Sequence, residues 1–502
     1  MASVPRLEKE EAAAVLAGPG RSVTTLDAPD DQAAGMGRLF GRDLIYVVIW
    51  SLQLVTAVVV SPVLAYILGP SEFGSMATGI AIYQVLMVLA VIGFDRAITL
   101  QMADDPSGRS ARSLLAVGMV IAVSFTVLAG TTAGFWGPFV GLGSERSLVI
   151  AIVLWTGPGA VVQLSLALLM AQDRLKPFAA VSCLSALGGP VFGIALVFRV
   201  AKNASTYAWG GVISQFAGLL IALLLCKPLL AGLLDRPLIR SAFSLGVPIM
   251  LSGLSVFVLT ASDRVVISRL LGSAEVGRYQ IAYTVGYVVV LGLSSVSQAW
   301  TPRLAAVRDK VLRRKLTGRS RDELYRLCVP IILGITLAAP ILLRIVAPPS
   351  FDPASLLIVS VLVAAAAFPV AASGATSREL LILRRTRPLA VVAFVAGALN
   401  VGLNLLLVPL WGISGAAAST LVAFSVQALL QRRALDDSAG WPRTPRPLLA
   451  LIGLACLISA GSSLLPQTTA WNLIRLSLAI ACLPWLLLQL RASRKNDLAV
   501  PA

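Results

Sequence analysis

The 502-residue sequence contains no histidine. That removes the one side chain whose ordinary pKa lies near neutrality, and with it imidazole acid–base chemistry and His-containing zinc sites. Cysteine is scarce: Cys183, Cys226, Cys328, Cys456 and Cys482 stand singly in apolar stretches with no C-x-x-C pair. They read as small core residues, not as a disulfide framework or metal site. There is no G-x-x-x-x-G-K-[ST] loop, so an ATP-driven pump of the P-loop type is excluded. Charge is the largest deficit. Charged residues make up 13 % of the chain against 57 % hydrophobic, and mean hydropathy is +0.86, a balance no water-soluble surface tolerates. No catalytic residue, metal or cofactor is expected.

What is present instead is a series of long apolar runs. Crossing a hydrocarbon core about 30 Å thick takes roughly 20 residues of helix, the form that satisfies its own backbone polar groups in lipid. That ruler places spans at about 44–67, 76–100, 113–135, 147–171, 178–199, 207–231, 242–268, 279–300, 326–346, 355–376, 389–411, 413–431, 447–464 and 470–490. The fold class expected is therefore an all-α polytopic membrane protein of about fourteen transmembrane helices. Residues 1–40, rich in Ala, Gly, Asp and Arg without an apolar run, read as a disordered tail and not as a cleaved signal peptide.

The net charge of +17 does not point to nucleic acid, because its distribution follows the membrane. Most of the 41 Lys and Arg residues fall in segments on the same side as the N-terminal tail, which is the positive-inside asymmetry and makes both termini cytoplasmic. The densest cluster, from Arg303 to Arg326 between spans eight and nine, reads as a loop that anchors topology and attracts anionic lipid, at ~1 kcal/mol per basic residue.

The chain also repeats itself. VLAYILGPSEFG, from Val63 to Gly74, returns as VISRLLGSAEVG from Val266 to Gly277, identical at five of twelve positions. A weaker echo pairs LLMAQDRLKP, ending at Pro177, with ELLILRRTRP, ending at Pro388. Six spans separate each segment from its copy, so the repeat is parallel, about an axis along the membrane normal, as in many transporters. The expected organisation is a tail (1–40), an N-terminal six-helix lobe (41–236), a C-terminal six-helix lobe (237–435), an additional helix pair (436–492) and a second tail (493–502). Proline lies inside many spans, Pro62, Pro158, Pro248, Pro330 and Pro369 among them, each a place where a helix can curve.

Four motifs carry a resemblance. The Leu68-Gly69-Pro70-Ser71-Glu72-Phe73-Gly74 turn, the Asp263-Arg264-Val265-Val266-Ile267 run before Leu271-Gly272, Gly277-Arg278-Tyr279, and Asn400-Val401-Gly402-Leu403-Asn404 leading to Pro409-Leu410-Trp411-Gly412 occur in that order across spans one to twelve. Together they resemble the polysaccharide-flippase branch of the multidrug/oligosaccharidyl-lipid/polysaccharide exporter superfamily. The resemblance implies a MATE-like pair of lobes around a central cavity, alternating access, and a bacterial inner-membrane location. It also implies a substrate of undecaprenyl pyrophosphate bearing a short oligosaccharide, for O-antigen, capsule or exopolysaccharide. Expected partners are that lipid-linked oligosaccharide, membrane lipids and other polysaccharide-assembly proteins.

A pyrophosphate head group needs a cationic passage at membrane depth, and arginine binds phosphate oxygens bidentately while keeping its charge. Ionisable residues within spans are costly and so are candidates by default. Arg264 with Asp263, and Arg96 with Asp95, are the embedded pairs; adjacent helical residues point about 100° apart, so each pair is expected to offer one group to the cavity and one to another helix. Asn400 and Asn404, four apart on one helical face, suit sugar hydroxyls or an interhelical bond equally. Gln53 and Gln298 are further cavity candidates, with Gln163 and Gln215 similarly ambiguous. Arg199, Arg344 and Arg475 sit at span ends and are expected to snorkel. Two rivals remain open. A cation-coupled multidrug exporter would use an embedded carboxylate, and a membrane polymerase or ligase of the same pathway would present a long loop with clustered catalytic side chains.

Overall fold

A computed structural model describes residues 29–305, 307–435 and 440–497; side chains are described from Val59 onward, apart from those of 291, 293–299, 301–303 and 493–497. Among the described residues all regular structure is helical. The chain runs through α1 (Pro29–Val91), α2 (Phe94–Asp104), α3 (Arg109–Thr131), the short α4 (Ala133–Phe139), α5 (Arg146–Ala171), α6 (Leu175–Arg199) and α7 (Ala204–Cys226). It continues with α8 (Arg236–Leu271), α9 (Ser273–Ala305), α10 (Lys310–Val346), α11 (Leu357–Ala365), α12 (Ala367–Ile382), α13 (Thr386–Trp411) and α14 (Ile413–Arg433). A last pair, α15 (Arg446–Leu464) and α16 (Thr469–Asp497), closes it. Twelve stretches among the described residues are long and apolar enough to cross a membrane.

Four sequence expectations change. The expected tail 1–40 gives way to helix from Pro29; residues 1–28 and 498–502 lie outside the described set. The second span does not run unbroken over 76–100, because the chain turns at Ile92 and Gly93, both at positive φ, and restarts as α2. The tenth span, expected as 355–376, divides at Ala366 into α11 and α12; Pro369 has no N–H to give the Ala365 carbonyl, so the ladder is interrupted there.

The fourth change is the basic segment. From Lys310 it is helix, capped by Asp309, whose Oδ1 accepts the Val311 N–H at 2.8 Å. Arg313, Arg314 and Arg321 are buried, not spread on a lipid surface. Arg313 forks onto Glu379 of α12 through Nε and Nη2, both at 3.2 Å, and Arg314 Nε lies 3.5 Å from the same carboxylate. Glu379 is fully buried, so a carboxylate 66 residues away folds the cluster inward. Arg475 is likewise no snorkelling residue: at 2 % exposure it donates to the carbonyls of Ser462 (2.6 Å) and Leu465 (2.8 Å), satisfying the open C-terminus of α15. Arg199 and Arg344 are exposed, as a snorkelling residue would be.

The two copies of the internal repeat meet each other. Gly69 (φ 72) and Gly272 (φ 93) occupy equivalent places in the repeat and turn the chain into the next helical stretch at the same face, here called the Gly69 face. Just beyond, Gly74 and Gly277 touch through backbone alone. A Cβ on Gly74 would collide with the Ser273 carbonyl and the Gly277 nitrogen, and one on Gly277 with the Pro70 carbonyl and the Gly74 nitrogen. Each copy offers the other the same surface, which is how a two-fold contact is built. Ser71 Oγ and Ser273 Oγ lie 2.9 Å apart, Phe73 and Phe351 meet edge to face at 5.8 Å, and Arg269 donates to the Pro138 carbonyl at 3.2 Å. The halves touch again toward the opposite, basic face, where Gly93 lies against Gly246 and Phe94 meets Phe243 at 5.2 Å. The last helix pair packs on α10, with Thr336 Oγ1 and Ser459 Oγ 2.8 Å apart.

Candidate functional site

Between these two contacts lies a cavity of about 660 Å3, within the range of small-ligand sites. Both halves line it. The first half contributes Tyr83, Gln84, Trp155, Ser185, Tyr207 and Gln215; the second contributes Thr260, Arg264, Gln280, Tyr283 and Tyr287, with Phe257 and Ala261.

The placement of Arg264 follows from helix length. Asp235 caps α8 by accepting the Leu238 N–H at 3.1 Å, and Pro237 fits the first turn. The helix then runs 36 residues without a stop to Gly272. Arg264 comes eight residues before that glycine, about 12 Å inside the Gly69 face at 1.5 Å per residue. Its guanidinium is held from several sides: Nη1 donates to Asp263 Oδ1 and to the Thr260 carbonyl, both at 2.8 Å, and Nε donates to Gln280 Oε1 at 2.9 Å. The charge also lies 4.4 Å from the centre of the Tyr283 ring, a favourable cation–π distance. Nη2 makes none of these bonds.

Asp263 is 1 % exposed. Besides Arg264 it accepts the Tyr279 hydroxyl at 2.5 Å and the Arg264 backbone N–H at 2.9 Å. The two neighbours pair with each other, because the long arginine chain folds back across the 100° between them, while Arg264 lines the cavity and Asp263 reaches Tyr279 of the neighbouring helix α9. The result is a locally neutral unit with its fork fixed in place. Tyr279, Tyr283 and Tyr287 follow at four-residue spacing along α9, with ring centres 5.7 and 4.8 Å apart, and form an aromatic stripe beside it.

The other sequence candidates lie elsewhere. Asp95 stands in the first turn of α2, where it complements the helix N-terminus exposed by the Ile92–Gly93 break. Arg96 pairs loosely with it at 3.7 Å, with a side chain 65 % exposed; neither lines the cavity. Asn400 and Asn404 are fully buried and act between helices. Ser262 of α8 donates to Asn400 Oδ1 at 3.1 Å, Asn404 Nδ2 donates to the same oxygen at 3.0 Å, and Asn400 Nδ2 reaches Thr420 of α14 at 3.4 Å. The side chains of Gln53 and Gln298 are outside the described residues. Sequence reasoning missed the aromatic lining altogether, although the tyrosine spacing on α9 was there to be read; Gln215 had been noted only as a lone polar residue.

Residues 44–307 match the family model described as polysaccharide biosynthesis protein. The chain belongs to that family. No curated protein sequence matches the chain significantly. Among solved structures, the lipid II flippase MurJ in an inward closed conformation is similar with a TM-score of 0.68 at 13 % identity, covering 91 % of this chain and 100 % of that one. An inward-facing multidrug resistance MATE family transporter of the MOP superfamily gives 0.61 at 14 % identity, over 80 % and 95 % of the two chains. A MOP superfamily transporter from Pyrococcus furiosus, described as having a binding pocket of reverse polarity, gives 0.53 at 12 %, over 83 % and 94 %. At such identities the likeness carries the fold alone, and that fold is the all-helical, multi-pass membrane fold shared by MATE proteins and MurJ.

Proposed function

We propose that this member of the polysaccharide biosynthesis family is a flippase, moving undecaprenyl-pyrophosphate-linked oligosaccharide across the bacterial inner membrane by alternating access. The observation that carries the reading is Arg264, a fixed guanidinium on the wall of a cavity shared by both halves. Burying a guanidinium is expensive unless something offsets it, and Asp263 with Gln280 hold this one rigidly at the cavity wall, where its fork would meet a phosphate oxygen. The cavity suits a head group and short glycan; a long isoprenoid would stay in the bilayer. With the basic face cytoplasmic, as the positive-inside rule has it, the backbone contact at Gly74 and Gly277 would seal the outer side and open in the other half of the cycle.

Purified protein in vesicles, given a fluorescent short-chain isoprenyl-pyrophosphate disaccharide in one leaflet, is expected to equilibrate it between leaflets, read by a membrane-impermeant quencher. Gradient-driven accumulation of a cationic dye with no lipid movement would replace this reading with drug export, which the buried carboxylate of Asp263 could serve.

The seal gives a separate expectation. In a Ser71→Cys, Ser273→Cys double variant the two sulfurs would sit where hydroxyl oxygens are now 2.9 Å apart, within reach of disulfide geometry. Oxidation is expected to lock the Gly69 face and stop lipid movement, reduction to restore it, and neither single variant to respond. Continued transport with the bond formed would show that this face does not open.

A further inference from the structure

The cavity is chemically two-sided. Its one charged lining residue among those described, Arg264, belongs to the second half. The wall from the first half, in the described residues that line it, carries no charged side chain; it sets aromatic rings, amides and hydroxyls among aliphatic residues such as Val60, Leu64 and Ile80.

Tyr83 and Trp155 stack at 4.6 Å between ring centres with planes 30° apart, and both are only half-buried, so part of each ring surface is left uncovered by protein. The Trp155 ring rests directly on Gly211 of α7, where a Cβ would overlap its Cζ2, Cε2 and Cη2 atoms. Gln215 follows one turn later on the same helix face. Its Nε2 donates to Ser185 Oγ at 2.7 Å, which fixes the amide and leaves Oε1 as a buried acceptor. Among the described residues neither Gln215 Oε1 nor Trp155 Nε1 has a hydrogen-bond partner, nor has Ser61 Oγ, also on the cavity lining. Buried donors and acceptors left unmade are costly, and the great majority in folded proteins find a partner. Two unmade atoms next to a stacked aromatic pair at a cavity wall are a site waiting for a polar ligand with a flat apolar face.

We infer that this wall is the saccharide subsite: a pyranose ring lies against the uncovered side of the stacked Tyr83–Trp155 pair, its hydroxyl or acylamino substituents taking the Trp155 N–H and giving to Gln215 Oε1. A pyranose presents C–H groups on one face, which suit the electron-rich face of an aromatic ring, and hydroxyls at its edge that both donate and accept. An anionic group finds no charge partner on this wall, and a purely aliphatic one would leave the amide and indole unmade. The inference rests on the flippase reading and deepens it, since it fixes the substrate's orientation: phosphate toward Arg264 in the second half, sugar against the first. Recognition of lipid and of glycan is thereby divided between halves that move relative to each other.

The test compares farnesyl pyrophosphate with farnesyl pyrophosphate bearing one glucose, galactose or N-acetylglucosamine, titrated calorimetrically into the full-length protein. For wild type, at least one sugar is expected to tighten binding about tenfold over the bare lipid, equivalent to ~1.4 kcal/mol. Trp155→Phe keeps the ring and loses the N–H, and Gln215→Leu keeps the bulk and loses the acceptor. Each is expected to erase most of the sugar's gain while leaving affinity for the bare lipid unchanged, which also certifies the fold. If no sugar improves binding, or if both variants retain the full gain, the saccharide subsite is wrong while bare-lipid binding that depends on Arg264 still stands. If bare farnesyl pyrophosphate fails to bind wild type, or binds equally to Arg264→Ala, the head-group reading has failed instead.

Discussion

Arg264→Ala is expected to abolish lipid translocation. Two losses combine. The phosphate loses its charge-assisted bonds, each worth about 1.5–3 kcal/mol, or roughly ten- to 150-fold in rate or affinity. Asp263, 1 % exposed in the wild-type protein, is meanwhile left with only the Tyr279 hydroxyl and a backbone N–H against it, and an uncompensated buried charge costs about 3–5 kcal/mol. The second loss threatens the fold, so the decisive variant is Asp263→Asn with Arg264→Gln. It removes both charges, keeps polar side chains near Gln280 and Tyr279, and is expected to give a normally folded protein that moves lipid at least 100-fold more slowly. Arg264→Lys keeps the charge without the planar fork and is expected to fall between. Translocation at the wild-type rate by the neutral double variant, in the same vesicle assay, would remove Arg264 from the mechanism.

The largest effect on stability is expected at Glu379. This carboxylate is fully buried, with Arg313 forked onto it and Arg314 at 3.5 Å; Arg378 beside it in sequence is 4 % exposed. Glu379→Gln removes the counter-charge of a buried basic cluster joining α10 to α12, and the penalty for breaking such a set from one side is about 3–5 kcal/mol or more. The expected result is a protein that fails to accumulate or melts far earlier in detergent. An all-apolar replacement separates charge from packing: Glu379→Leu with Arg313→Met and Arg314→Met leaves no orphaned ion from the trio and is expected to recover most of the lost melting temperature. If Glu379→Gln melted like wild type, the cluster would have to be wet and the carboxylate dispensable.

Much of this architecture was legible in the sequence, since lipid imposes a simple rule. A run of about 20 apolar residues must be helix, and the repeat beginning at Val63 and Val266 marks the segments that meet at Gly74 and Gly277. Arg264 was legible for the same reason: a cation within an apolar span demands an explanation. Arg96 met the same criterion and lies outside the cavity, because the break at Ile92 and Gly93 turned Asp95 into a helix-start residue and sent Arg96 to the surface; nothing in the apolar pattern around it announces that break. The basic segment misled more fully. Its local composition matches a membrane-surface loop, and only Glu379, 66 residues beyond Arg313, shows that part of it is interior. Trp155, Tyr83 and Tyr207 were invisible for the opposite reason, since aromatic residues within a span are indistinguishable by composition from those packing its core or facing lipid.

The self-neutralised pair on α8 has an electrical meaning for a flippase. Asp263 travels with Arg264, one residue away on the same helix, so when the empty protein changes state this pair shifts no net charge through the membrane field. A bound pyrophosphate ester adds negative charge, and a potential of 100 mV does about 2.3 kcal/mol of work on each elementary charge carried across. On the proposed flippase reading, with the basic face on the negative side, that work would drive the loaded step outward and leave the pair's return indifferent to voltage.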